Sequence, residues 1–187
     1  DGNLLGFGAN NNEIFKSVSE NNHLTEEDYF ILINPDVYID FVEFKKLASE
    51  LSKNRYDLCT INLFKDEQHI NEDPFVRRFP SLFDFLSSFI FSVNHTIYKR
   101  NKDLILFDWC AGSFMCFSVD TYNKLQGFDE GYFMYCEEIE ICFRAEESDI
   151  DKNYLHNIKA IHLAQHTNRK VLSKHFYWHI KSILRYM

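Results

Sequence analysis

An α/β fold is the class this 187-residue sequence predicts, and three features carry the expectation. Tyr29-Phe30-Ile31-Leu32-Ile33 is a short, continuous, β-prone apolar run stopped by Asn34-Pro35-Asp36, the pattern of a buried central strand that opens into a loop. Directly after it, Phe41, Phe44, Leu47, Ala48 and Leu51 fall on one helical face. Strand-like and helix-like stretches then keep mixing along the chain.

The elements follow in order. Residues 2–12 form a turn-rich opening with three glycines, and a helix is expected over 13–20 after an Asn N-cap. The strand at 29–33 and the helix at 41–53 come next, then a second strand over 57–64. Residues 74–93 make a long aromatic segment that carries the paired Arg77 and Arg78. Strands are expected at 104–107 and 113–119, flanking Trp109-Cys110-Ala111-Gly112. A short helix at 121–125 closes on Gly127, which reads as the residue just past the helix end. A helix over 135–147, a last strand over 159–162 and a terminal amphipathic helix over 168–187 complete the chain.

Composition limits what such a fold does. Hydrophobic residues at 45% and charged residues at 26% exclude a wholly disordered or fibrous chain. The longest apolar stretch, 82–93, contains Asp84 and is too short for the ~20 residues that cross a bilayer. The sequence predicts no secretory signal. Five cysteines, an odd number without a Cys-x-x-Cys, predict free thiols and a reducing compartment. The net charge of −8 is segregated: residues 20–73 hold thirteen acids and five bases, 129–151 nine acids and one base, and 169–187 five bases and no acid. An acidic body that gathers a cation, with a basic aromatic tail facing an anionic partner, fits this division. Nucleic acid does not fit, because the balance is acidic and no recognition motif is present.

Three groups of residues can carry chemistry. Asp36 follows a buried strand, where α/β sheets place ligands, so its carboxylate can hold a cation against phosphates; a plain Asn-Pro-Asp turn has the same lettering. At ~100° per residue, Tyr135, Ile139, Cys142 and Phe143 form the buried stripe of the 135–147 helix. Glu138 then lies at the stripe's edge, placed for a general base, and Glu137 points away. Two acids in a first turn are equally what the helix dipole favours. His162 can complete a metal site, and His162 with His166 can bind zinc if 163–166 is helical, which with Glu137 or Glu138 would make a hydrolase. Trp109, beside small residues, suits either a sugar ring or a packed core.

The order and spacing of these pieces say more than any one of them. Gly-Phe-Gly-Ala-Asn-Asn-Asn, a strand ending Asn-Pro-Asp-Val, Trp-Cys-Ala-Gly-Ser-Phe-Met, Gly-Phe-Asp-Glu-Gly-Tyr-Phe-Met-Tyr-Cys-Glu-Glu-Ile-Glu-Ile-Cys-Phe-Arg and Ala-Ile-His together resemble the inverting family-two glycosyltransferases. Among them the sequence looks most like the bacterial rhamnosyltransferases of O-antigen and related polysaccharides. The resemblance implies a GT-A, Rossmann-like fold over residues 1–168, with a mixed, mainly parallel sheet flanked by helices, and a basic amphipathic helix over 169–187. It also implies a strand–helix–strand ahead of Asp1 that supplies much of the nucleotide-base pocket, so the expected fold is N-terminally truncated.

The resemblance further implies roles. Asp36 and His162 would hold Mg²⁺ or Mn²⁺ on the donor's diphosphate, with Asn34, Gly8 and Asn12 also on the donor side. Glu138 would be the catalytic base, one methylene longer than the family's aspartate, while Trp109, Gly112, Ser113 and Glu137 would shape the acceptor side. Arg77, Arg78 and the tail would approach an acceptor diphosphate or the anionic inner leaflet. The implied partners are a nucleotide-sugar donor such as dTDP-rhamnose and a lipid-diphosphate-linked saccharide, in the bacterial cytoplasm or peripheral at the inner membrane. A non-catalytic sugar-nucleotide or partner-binding remnant is the alternative, suggested by the absent N-terminal part and the glutamate at 138.

Overall fold

The computed structural model of the chain describes residues 5–91, 95–98, 106–163 and 174–187. Among them, helix α1 (Phe7–Asn21) precedes β1 (Tyr29–Ile33), β2 (Val37–Tyr38), α2 (Phe41–Lys53) and β3 (Leu58–Phe64). Then come β4 (Val76–Arg77), α3 (Leu82–Phe91), β5 (Trp109–Cys110), β6 (Phe114–Ser118), α4 (Val119–Lys124), α5 (Glu137–Glu147), β7 (Lys152–His162) and α6 (Lys174–Tyr186). Half of the expected strand at 104–107 falls outside the described residues, and Leu106 makes an isolated bridge to Asn153. Residues 6–12, expected as turn, are the first turns of α1 and its N-cap.

The main sheet runs β1-β6-β3-β7-β2, and β4 and β5 form a separate ribbon. Only β3–β7 pairs parallel; β1–β6, β3–β6 and β2–β7 are antiparallel, which corrects the mainly parallel expectation to a mixed sheet. The cause is β6, which enters antiparallel between β1 and β3. Strand direction survives the correction: β1, β3 and β7 point the same way, so their C-terminal ends share one sheet edge with the start of β6 and of β2. Every residue of β3 and β6 is buried, and each fully buried aliphatic side chain there contributes roughly 1.5–3 kcal/mol.

Helix α2 turns a different face inward from the expected one. In α2 the buried side chains are Glu43, Leu47 and Leu51, while Phe41 and Phe44 are exposed. Glu43 tolerates burial because its carboxylate accepts from Lys46 Nζ and from the Lys159 backbone N–H at 2.8 Å. Asp40 caps this helix through Val42 N and Glu43 N at 2.8 and 2.9 Å. At the end of α4, Gln126 N donates to Asn123 O and Gly127 N to Tyr122 O, a Schellman arrangement. The left-handed residues are Gln126 and Gly127, so the glycine stands one place later than expected.

The tail helix α6 docks on the body. Ser182 and Ile183 are buried, Arg185 ion-pairs with Asp129 at 2.7 Å, and Trp178 stacks on Phe133 with ring centroids 4.5 Å apart. Leu184 and Met187 are exposed.

Candidate functional site

The sheet edge where β1, β3 and β7 end carries the first cluster. Asn34 N donates to Ser113 O at 3.0 Å, which ties the Asn-Pro-Asp turn to the start of β6. The two residues of β2 then pair Val37 with His162 and Tyr38 with Ile161, and Leu163 N donates to Asp36 O. This register sets Asp36 beside His162, with Oδ1 3.5 Å from Nε2. The other ring nitrogen, Nδ1, meets Asp73 Oδ2 at 2.5 Å. Asp73 leaves the end of β3, its N–H bonded to Leu63 O, and was missed by sequence reasoning because a loop acid shows no periodicity. The Asp73 hydrogen bond, opposed by burial, pushes the imidazole pKa up. Among the described residues no group of three His, Cys, Asp or Glu side chains forms a ready metal site. His166 lies outside the described residues.

The second cluster opens α5. The helix starts at Glu137, not at 135, after two consecutive left-handed residues, Tyr135 (φ 73°) and Cys136 (φ 66°). Such conformations cost of order 1–3 kcal/mol each for non-glycine residues and persist only when held. Phe7 N donates to Phe133 O, Ser182 Oγ to Met134 O at 2.8 Å, and Tyr135 OH meets His175 Nδ1 at 3.1 Å. At the other side of α5, Arg144 pairs with Glu140 and donates to the carbonyls of Leu125 and Gly127.

This start rotates the helix relative to the expected stripe. Glu137 is 4% exposed, whereas Phe143, expected inside, is exposed. Glu138 is half-buried. Oε2 of each glutamate is buried and has no hydrogen-bond partner among the described residues. Burial, then the neighbouring Glu138 carboxylate, push Glu137 up to about 9. Burial also raises Glu138, against lowering pulls from its own backbone N–H and, more weakly, from Arg77. A buried dicarboxylate of this kind holds a proton at neutral pH and is suited to acid–base work.

The segment 73–77 runs from the first cluster to the β4–β5 ribbon, on which α5 packs through β5. Asp73 and Arg77 are four residues apart, hence within ~14 Å, and β4 pairs Val76 with Cys110 and Arg77 with Trp109. Ala111 N donates to Phe75 O. Trp109 is buried, its Nε1 donating to Arg78 O at 2.8 Å and its face covered by Arg77. Ser113 Oγ is buried and has no hydrogen-bond partner among the described residues. Gly112 abuts the Phe7 ring.

Gly8 and Asn12 sit elsewhere. A Cβ on Gly8 would stand 2.7 Å from that of Phe128. Both ends of the Asn12 amide are engaged: Nδ2 donates to Phe128 O and Glu130, and Oδ1 accepts from Phe128 N and Tyr122 OH. Their observed contacts are with the 122–130 segment.

All five cysteines are free thiols, and among the described residues no helix is long and apolar enough to cross a membrane. No protein-family model matches the chain. The chain is 39% identical over 189 residues to Rhamnosyltransferase WbbL of Escherichia coli (strain K12), across 100% of this chain and 71% of that protein. It is 26% identical over 156 residues to the Low-salt glycan biosynthesis hexosyltransferase Agl10 of Haloferax volcanii, across 83% of this chain and 47% of that protein. Among solved structures, A197 from STIV aligns over 86% of this chain and 77% of its own, with a TM-score of 0.46 and 12% identity.

Proposed function

We propose that this chain, which belongs to the glycosyltransferases related to the O-antigen rhamnosyltransferases, moves a sugar from a nucleotide donor, dTDP-L-rhamnose, to a lipid-linked saccharide, with inversion at the anomeric carbon. The observation that carries the proposal is a pair of unlike clusters, a carboxylate–imidazole pair at the sheet edge and a buried dicarboxylate opening α5, with α5 packed on β5 just before Ser113, whose carbonyl holds Asn34.

Glu138 takes the proton of the acceptor hydroxyl as that oxygen attacks the anomeric carbon from the face opposite the leaving group. A base of this kind contributes typically 10²–10⁴-fold. Asp36 and His162 offer a hard oxygen and an imidazole nitrogen, a donor set that fits Mn²⁺ or Mg²⁺, and such an ion supplies neutralising charge for the departing diphosphate when bound. Asp73, hydrogen-bonded to His162 Nδ1, fixes the ring so that Nε2 faces Asp36. Asn34 stands on the donor side, at the turn shared with Ser113. Ser113, Gly112 and Glu137 shape the acceptor side, with Trp109 as a buried wall behind them. Gly8 and Asn12 pack against the 122–130 segment. The exposed Lys174, Tyr177, Lys181 and Leu184 of α6 support a peripheral contact with the inner leaflet.

The test is sugar transfer from dTDP-rhamnose with Glu138→Gln and Asp36→Ala, alongside calorimetry of donor binding. Glu138→Gln should abolish turnover and leave donor affinity intact, and Asp36→Ala should weaken metal-dependent donor binding. Near-wild-type turnover in the first, or unchanged affinity in the second, removes that residue from the mechanism.

A further inference from the structure

We infer that Glu43 is a positioning residue for the sheet-edge pair: its carboxylate, carried on the first turn of α2, closes the far side of an irregularity in β7 and so holds His162 on the face of Asp36. The inference rests on the reading of Asp36 and His162 as the donor-side pair.

Strand β7 does not run evenly beside β3. Leu155 pairs with Ile61 and Lys159 with Asn62, which are neighbours on β3. His156, Asn157 and Ile158 therefore stand between the two pairs with no β3 partner among the described residues. Of these three only Ile158 is buried. His156 and Asn157 border a cavity of about 370 Å³ between α2 and β7, which Lys46 and Lys53 also line. A bulge adds residues to one strand only, so its size sets the register of everything that follows it. A slip of one residue turns each later side chain to the opposite face of the sheet. Ala160 would leave the core, and His162 would leave its place opposite Val37, beside Asp36.

The far side of the bulge is fixed by a borrowed acceptor. Strand β2 holds β7 through Val37–His162 and Tyr38–Ile161. Continued by two residues, the same antiparallel register would set Asp40 against Lys159. Asp40 has instead turned away to cap α2, its Oδ1 accepting from Val42 N and Glu43 N. Glu43 supplies what β2 does not: its Oε2 accepts the Lys159 backbone N–H at 2.8 Å, three residues before His162. Lys46 takes the other oxygen, Oε1. Glu43 is buried in this position, where water competes little for the bond.

A group that orients a metal-binding imidazole from outside the ligand set is worth about 10–100-fold in metal affinity. In the full chain, Glu43→Leu, which fills similar space without an acceptor, should weaken Mn²⁺ binding about tenfold or more by titration calorimetry. Glu43→Gln, which keeps an oxygen for the Lys159 N–H, should stay near wild type. So should Lys46→Met, which leaves that bond in place. If Glu43→Leu fails to fold by circular dichroism, Glu43→Asp, one methylene shorter and so withdrawn from Lys159, serves the same purpose and should lose affinity likewise. The metal-free readout is the imidazole ¹H–¹⁵N spectrum. The His162 signal, set by Asp73 at Nδ1, should persist in Glu43→Gln and shift or disappear in Glu43→Leu. An unmoved His162 signal in Glu43→Leu, or an equal loss of Mn²⁺ affinity in Lys46→Met, overturns the inference. Asp36→Ala separates the two readings: Mn²⁺ bound equally well without Asp36 defeats the pair as a metal site, whereas a His162 signal indifferent to Glu43 defeats only the role of Glu43.

Discussion

Replacing Glu137 by glutamine should remove a pH-dependent penalty from the stability of the protein. Glu137 is 4% exposed, its Oε2 has no hydrogen-bond partner among the described residues, and burial, then the neighbouring Glu138 carboxylate, raise its pKa from 4.5 to about 9. The folded chain thus binds a proton that the unfolded chain releases. Stability from this group is fully present below pH 4.5 and is lost progressively as pH rises toward 9. The slope is up to about 1.4 kcal/mol per pH unit, or about 4 kcal/mol between pH 5.5 and 8.5. For a domain of this size that corresponds to a fall of roughly 8–16 °C in Tm. Glutamine keeps the shape and never ionises, so the variant should be flatter over the same interval and more stable at its alkaline end. Urea denaturation of both proteins at pH 5.5, 7.0 and 8.5 gives the difference directly. Parallel stability curves, with no growth of the gap toward high pH, would refute the assignment of a buried protonated carboxyl.

Three further outcomes are expected. Asp73→Asn should weaken Mn²⁺ binding about 10–100-fold by removing the acceptor that orients His162; titration calorimetry showing equal affinity would separate Asp73 from the Asp36–His162 pair. Gly127→Ala should cost of order 1–3 kcal/mol in chemical denaturation, because φ is 67° and a Cβ would stand 2.3 Å from Asn12 Oδ1; a change under about 0.5 kcal/mol would contradict it. Asp40→Ala should cost about 1 kcal/mol through loss of two capping bonds, checked by thermal melts against Asp40→Asn, which should retain most of that stability.

Features encoded locally were legible in the sequence, and features made by pairing were not. The strand at 29–33 showed as an apolar run, and the Asn-Pro-Asp turn showed where it stops. That Asp36 would stand beside His162 depends on a two-residue strand, Val37–Tyr38, too short to leave a pattern. Strand β7 extends back to Lys152, but its pairing with β3 slips between Leu155 and Lys159, and this irregularity breaks the alternation that would have revealed it. The wheel for α5 assumed a start near 135. With Tyr135 and Cys136 left-handed, a conformation their side chains do not advertise, the phase changes and Glu137 turns inward. In α2 the inner face includes a glutamate because Lys159, over a hundred residues later, offers its N–H.

The bend before the two glutamates has a consequence for the role of the tail helix. Neither Tyr135 nor Cys136 would choose its backbone shape unaided, and one of the bonds that fixes it comes from Ser182, forty-eight residues downstream of Met134. Among the described residues every strand of the main sheet is complete by residue 162, yet the bearing of Glu137 and Glu138 also depends on α6. The end of the molecule that carries these two acids therefore depends on α6 for its bearing, and a chain lacking that helix would lose one of the bonds that fix it.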